Sequence, residues 1–155
     1  LSFRAATAVF GHFGIEWDLR KATPAELEEL ADWIAFYKAN RDLLLGGDLV
    51  RLDFPDEALA ASGVVAADRS RAIYSFASVA THTTSLLGRL RFPGLDPQAR
   101  YRVTVIDRQH MPETLRQEWT RHPLEATGAQ LSMVGLRAPY MQPATAVLFE
   151  LERIG

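Results

Sequence analysis

The sequence has no cysteine. That excludes a disulfide framework, a thiol nucleophile and a thiolate metal site, and it suits a reducing compartment, so the expected location is cytoplasmic. A surplus of either charge is also lacking: 17 basic residues against 19 acidic ones leave a formal charge of -2, with the two signs interspersed. Such a balance offers no basic face for nucleic acid and no polybasic anchor for a membrane; small or neutral partners fit better. No apolar run reaches the roughly 20 residues of a membrane helix, and no basic stretch leads into an apolar one at the start, so neither span nor leader is expected. The first residue is Leu1 rather than Met, inside a helical pattern, which suggests a chain cut from something longer.

Chemistry-bearing patterns are equally sparse. His12, His82, His110 and His122 never stand at the i, i+4 spacing of a helical zinc pair and have no cysteine partners, so no metal or other cofactor is expected. No Gly-x-Ser-x-Gly turn presents a nucleophilic serine. Repeats and low-complexity tracts are absent.

What is present is a chain of 155 residues, enough for one ordinary domain that buries about two thirds of its unfolded surface. It is organised around the opening stretch FRAATAVFGHFGIEWDL at 3–19. An Ala-rich helical run at 3–10 passes Gly11 and Gly14 into a short apolar segment ending in acids. This reads as the end of a helix, a strand, and the approach to another helix. The next start signal is clear: Thr23 as N-cap, Pro24 at the first helical position and Glu26 completing a capping box. Leu27, Leu30, Ile34, Tyr37 and Arg41 share one face, Leu44 and Leu45 close the run, and Gly46-Gly47 stops it, so a helix is expected over 24–45.

Beyond Gly47 the apolar period changes to two. Val50, Leu52 and Phe54 alternate with Arg51 and Asp53, and 63–67 and 72–79 read as a hairpin around Asp68-Arg69-Ser70. Further strands are expected at 88–92, 101–106, 129–136 and 144–152, with one short helix at 113–121 that turns Trp119 inward. About seven short strands without helices between them predict an antiparallel β-sandwich. The expected fold is therefore mainly β: a helix-strand-helix segment at 1–46, then the sandwich at 47–155.

The order Phe3-Arg4, Phe10-Gly11, Gly14-Ile15-Glu16-Trp17-Asp18-Leu19, Tyr37-Lys38, Arg41 and Arg51-Leu52 resembles the carboxyl-terminal portion of glycoside hydrolase family 36 α-galactosidases. Arg89-Leu90, Gly94-Leu95-Asp96-Pro97, Tyr101-Arg102-Val103, Gly128, Leu131, Gly135-Leu136, Pro139 and Pro143 extend the likeness over nearly the whole chain. The resemblance implies that 14–19 is the closing strand of a (β/α)8 barrel, 24–45 its last helix, and 47–155 the β domain that follows. Such enzymes, melibiases among them, release terminal α-galactose from melibiose or raffinose with retention of configuration. Retention uses two carboxylates about 5 to 5.5 Å apart. In the family these are aspartates in a Lys-Trp-Asp segment and a later Ser-Asp loop, and neither segment occurs here. No catalytic residue is therefore assigned, and the chain is expected to be a structural, non-catalytic part of an α-galactosidase.

Two acids remain as candidates. Glu16 and Asp18 lie at the carboxyl end of the expected closing strand, where such barrels carry their sites, and would contact substrate only in an intact enzyme. The blander alternative is that they cap the next helix or bond to neighbouring loops. Trp33, Phe36 and Tyr37, and Tyr74, Phe76, Tyr101 and Phe149, fit core positions by spacing, although a sugar-stacking platform is the sharper reading. The rival function is a free-standing carbohydrate-binding or interaction module. Expected partners are α-galactosides for the intact enzyme and, at most, further copies in a homo-oligomer.

Overall fold

The computed structural model describes residues 1–84, 86–106 and 117–155. Helix α1 spans Ser2–Ala8, and α2 spans Pro24–Gly46. Six strands form one antiparallel sheet: β1 Asp48–Leu52, β2 Leu59–Val65, β3 Arg71–Ser78, β5 Arg100–Ile106, β6 Leu124–Thr127 and β8 Thr145–Ile154, in the order β1-β2-β3-β8-β5-β6. Strands β4 Arg89–Leu90 and β7 Leu136–Arg137 pair as a small second sheet, and α3 occupies Glu118–Arg121. The sheet domain is antiparallel throughout and follows the helix, extended segment and second helix expected from the sequence.

Alternation along the central strands divides the sheet into two faces. Tyr74 and Phe76 of β3, Phe149 and Leu151 of β8, and Tyr101 and Val103 of β5 face a large aromatic core, closed from above by Leu90, Phe92 and Leu131. The rings meet edge to face: Tyr74 with Phe92 at 5.0 Å and Phe92 with Phe149 at 5.8 Å, an arrangement that suits the ring quadrupoles. Gly63 lies opposite Tyr74 because the ring lies across its backbone; a Cβ there would sit 2.2 Å from Tyr74 Cδ1. Burial raises the pKa of the Tyr74 hydroxyl, with Tyr101 adding to the effect, and the hydroxyl donates to the Pro93 carbonyl.

The opposite face carries Ile73, Ala77, Ala146 and Leu148, and onto it pack α1 through Ala5 and Ala6, Val9 just past its end, and α2 through Trp33 and Leu44. Farther along the same face the residues become charged. Arg71, Glu152, Arg102 and Glu125 stand side by side on β3, β8, β5 and β6, alternating in sign across four strands. Arg102 reaches Glu125 at 3.0 Å; Arg71 pairs with Glu150 and donates to Asn40 Oδ1 of α2 at 2.8 Å. Asn40, buried in the helix face, also donates to the Phe36 carbonyl at 2.9 Å. Helix and sheet are thus joined by an apolar contact and a polar one.

Several expectations differ in detail from the fold. The buried stripe of α2 runs through Leu30, Trp33, Asn40 and Leu44, while Leu27 and Arg41 are exposed. The large Trp33 side chain and the Asn40–Arg71 bond turn the helix from the face expected. Residues 129–136 contain no continuous strand: Gln130–Val134 form a π-helical turn, and only Leu136–Arg137 pair. Thr127 and Gln130 explain it, because Gln130 N–H donates to Thr127 Oγ1 at 3.2 Å and Thr127 N–H to Gln130 Oε1 at 2.9 Å. This is a reciprocal cap that starts a helical turn. The second β layer is consequently thin. Of the helix expected at 113–121, the part at 118–121 is present and 113–116 lies outside the described residues, as does His110.

Candidate functional site

The chain between the two helices carries both candidate acids. After α1, Gly11 N–H donates to Ala8 O at 3.1 Å and Gly14 N–H to His12 O at 2.9 Å, and the backbone then extends toward Asp18. Asp18 caps a 3-10 turn at Leu19–Lys21. Its carboxylate accepts from Arg20 Nε at 2.8 Å and Nη2 at 3.1 Å, and from Arg20 N–H at 3.2 Å. The guanidinium of Arg20 first, and its amide second, hold the Asp18 carboxyl below its ordinary range. Five residues beyond Asp18, at Thr23, the capping box of α2 is complete. Glu26 Oε2 accepts from Thr23 N–H and from Thr23 Oγ1, both at 2.8 Å, and these bonds lower the pKa of Glu26.

Glu16 is placed differently. It is exposed and lines an open groove of about 290 Å³ with Arg4, Phe13, Ile15, Trp17 and Glu26. Asp18 is not part of that lining; the structure separates the two acids, one in the groove and one closed onto its neighbour. Among the described residues the backbone from Ile15 to Trp17 makes no ladder or other backbone hydrogen bond and Trp17 lies at a bend, so the stretch expected as a strand at 14–19 has no neighbouring strand. Ile15 and Trp17 remain 40% and 39% exposed.

The other candidates have ordinary surroundings. His82 Nε2 lies 2.8 Å from the Met141 carbonyl, with its ring edge-on to Tyr140. Among the described residues no three histidine, aspartate or glutamate side chains converge as metal ligands. Trp119 stacks on Phe149 at 5.5 Å and its Nε1–H donates to the Arg137 carbonyl at 3.1 Å, an inward ring with a satisfied polar edge. Trp33, Tyr74, Phe76, Tyr101 and Phe149 are all buried. Each aromatic residue that sequence spacing offered for sugar stacking on the strands is therefore consumed by the core.

Fold and site define a class: an antiparallel β domain joined to the helix–strand–helix end of an α/β unit. Residues 59–151 match the glycosyl hydrolase family 36 C-terminal domain, and residues 1–47 match the Melibiase family. The chain belongs to glycosyl hydrolase family 36. It is 37% identical to the α-galactosidase of Escherichia coli, an alignment that covers 99% of this chain and 23% of that protein. The α-galactosidase AgaA of Geobacillus stearothermophilus is 36% identical over 66% of this chain and 14% of its own length. The crystal structure of the Lactobacillus brevis α-galactosidase superposes with a TM-score of 0.79 at 27% identity, over 98% of this chain and 20% of that one. A Geobacillus AgaA variant solved in complex with raffinose gives 0.78 at 27% identity, over 97% and 19%. The chain thus spans no more than about a quarter of these enzymes' length.

Proposed function

We propose that this chain is the carboxyl-terminal portion of a retaining α-galactosidase, with residues 1–46 as the terminal segment of its (β/α)8 barrel and 47–155 as the β domain that braces it. By itself the chain is structural and non-catalytic. The observation that carries this reading is at residues 15–17, in the part of the chain that matches the Melibiase family: the backbone has no ladder partner, and Ile15 and Trp17 are half-exposed. A lone barrel strand has this appearance, because it shares its ladder with neighbours on both sides.

Within the assembled enzyme, Glu16 and Asp18 would stand near the carboxyl end of the last strand, where a sugar hydroxyl is within reach. Asp18 is already bonded to Arg20, so its part is to hold the turn into α2, and Glu16 is the freer acid. The retaining reaction itself requires two carboxylates on opposite sides of the glycosidic bond. The Asp18 carboxylate, occupied by a guanidinium, is a poor nucleophile. A cytoplasmic location belongs to the same proposal and rests on the cysteine-free composition. No helix among the described residues is long and apolar enough to cross a membrane.

Two measurements on the purified chain test this. Incubation with a chromogenic α-galactoside is expected to give no turnover; turnover that is lost in Asp18→Ala would overturn the non-catalytic reading. Calorimetric titration with galactose, melibiose and raffinose is expected to give flat heats. Saturable binding would replace the structural role with that of a carbohydrate-binding module.

A further inference from the structure

Strand β1 closes one side of the six-stranded sheet, and among the described residues β2 is its only neighbour. The direction of its free hydrogen-bonding groups follows from the ladder behind it. Ala66 N–H donates to the Arg71 carbonyl at 2.9 Å, and Val79 N–H to the Ala58 carbonyl at 2.8 Å, so the even-numbered residues of β2 bond toward β3. Its odd-numbered residues bond toward β1, where Ala61, Gly63 and Val65 stand opposite Leu52, Val50 and Asp48. The amides and carbonyls of Leu49 and Arg51, which alternate with these, therefore point away from the sheet. Beyond β1 the chain continues without a bend through Asp53 and Phe54 and bends at Pro55. Val50, Leu52 and Phe54 pack against the aromatic core while staying partly open to solvent. Arg51 and Asp53 alternate with them; both are exposed, and among the described residues neither side chain has a hydrogen bond or ion pair.

We infer that residues 50–54 are a self-association edge, at which a second copy of this chain lays its own β1 antiparallel to the first and continues the sheet across a two-fold axis. The occupant is identified by residue order: apolar, Arg51, apolar, Asp53, apolar, so that a reversed copy sets each charge against its opposite. A two-fold axis normal to the sheet keeps like faces together, and the possible registers therefore differ by steps of two residues. One register sets Arg51 against Arg51 of the second copy, a like-charge pair that opposes association. Another sets Arg51 against Leu49 and leaves both charges unmatched. A third sets Arg51 against Asp53 of the second copy, twice by symmetry, with Leu52 against Leu52 on the axis and Val50 against Phe54. In that register Arg51 and Asp53 also exchange the outward amide and carbonyl bonds, and Pro55, which has no N–H, ends the ladder. The far edge of the sheet offers no such match, because Glu125 of β6 is already bonded to Arg102 at 3.0 Å. A contact this short buries less than the roughly 1,200 Å² of a stable interface, so the association is weak and reversible. It requires only this sheet and holds whether or not the chain is catalytic.

Sedimentation equilibrium of the full chain at low salt, over concentrations up to about 1 mM, tests this, and a reversible monomer–dimer equilibrium is expected. Arg51→Asp leaves two acids on the edge and Asp53→Arg leaves two bases, so each variant alone should dimerise at least about tenfold more weakly. An equimolar mixture of the two variants sets opposite charges against each other at both positions and should recover a dimer as strong as the parent's. Arg51→Pro deletes an outward N–H but no bond of the β1–β2 ladder, and should weaken the dimer by itself. A parent chain that stays monomeric over the whole range overturns the inference. A dimer that either charge variant or Arg51→Pro forms as strongly as the parent places the contact elsewhere and overturns it too. A mixture of the two folded charge variants that fails to recover the dimer does the same, because the register is then wrong.

Discussion

The β domain and the segment before α2 contain the same kinds of residue and treat them in opposite ways. In the β domain, Tyr74, Phe76, Phe92 and Phe149 are buried, and Phe92 packs edge to face with both Tyr74 and Phe149. In the segment at 11–18, Ile15 and Trp17 remain substantially exposed and the backbone beside them is unpaired. The sheet closes its apolar face with its own loops and the small β4–β7 pair, whereas residues 15–17 have no strand beside them among the described residues. Burial here follows what packs against a residue: Leu49 of edge strand β1 is 58% exposed, while Trp33 of α2 is buried on the sheet.

The comparison is broken most severely in the sheet. Phe149→Ala removes a ring in contact with both Phe92 and Trp119, and should cost about 3 to 5 kcal/mol in a urea melt; a loss below about 1 kcal/mol would mean that this core collapses readily around a void. Next comes Gly135→Ala, where φ is 70° and a Cβ would stand 2.3 Å from the Leu90 carbonyl oxygen. Strain of about 1 to 3 kcal/mol is expected, read as a lower melting temperature. Thr23→Ala takes away one half of the capping box and should cost about 1 kcal/mol, seen as faster amide exchange in the first turn of α2. On the other side of the comparison, Ile15→Asp and Trp17→Asp should shift the stability of the isolated chain by no more than about 0.5 kcal/mol. A large loss from either would show that the segment is already part of a core.

The smallest effect is one of pH. Asp56 accepts from Thr83 N–H at 2.8 Å and from Ala58 N–H at 3.0 Å, and these bonds, with the Thr83 hydroxyl, hold its carboxyl below the ordinary range. A carboxyl whose pKa is lower in the folded state adds stability above its unfolded value, and that contribution disappears as pH falls through the folded one. Acidification should therefore loosen the loop at 80–84 before the sheet, with limited proteolysis there as the readout. Asp56→Asn should remove the pH dependence of that cleavage.

How much of this was legible in the sequence depended on whether a signal was local. Helix α2 was readable because Thr23, Pro24 and Glu26 form its cap within four residues, and the β2–β3 hairpin because Asp68-Arg69-Ser70 makes its own turn: Asp68 accepts from Ser70 N–H and Oγ, and Arg69 adopts φ 57°. The turn at Gln130–Val134 is equally local, but the Thr127–Gln130 cap stands beside an apolar run that resembles a strand. Strand β6 at Leu124–Thr127 was not legible because its alternation, Leu124 and Ala126 against Glu125 and Thr127, lasts only four residues. The buried stripe of α2 was beyond reach of its own sequence: Asn40 turns inward because Arg71, 31 residues away, waits there. For the candidate acids, the Asp18–Arg20 pair could have been read from its spacing of two. The exposure of Glu16 has no local signal, because the groove it lines is built from α1 and α2 as well as from its own segment.

Strand β8 is the last element along the chain, yet it occupies the middle of the sheet, with β3 on one side and β5 on the other. During synthesis, at about 5 to 20 residues per second, every earlier strand emerges from the ribosome before the one that joins the two halves. Until Thr145–Ile154 arrive, β1-β2-β3 and β5-β6 remain separate ribbons with open edges and uncovered rings. A nascent chain halted short of these ten residues would present those edges and rings to chaperones and proteases.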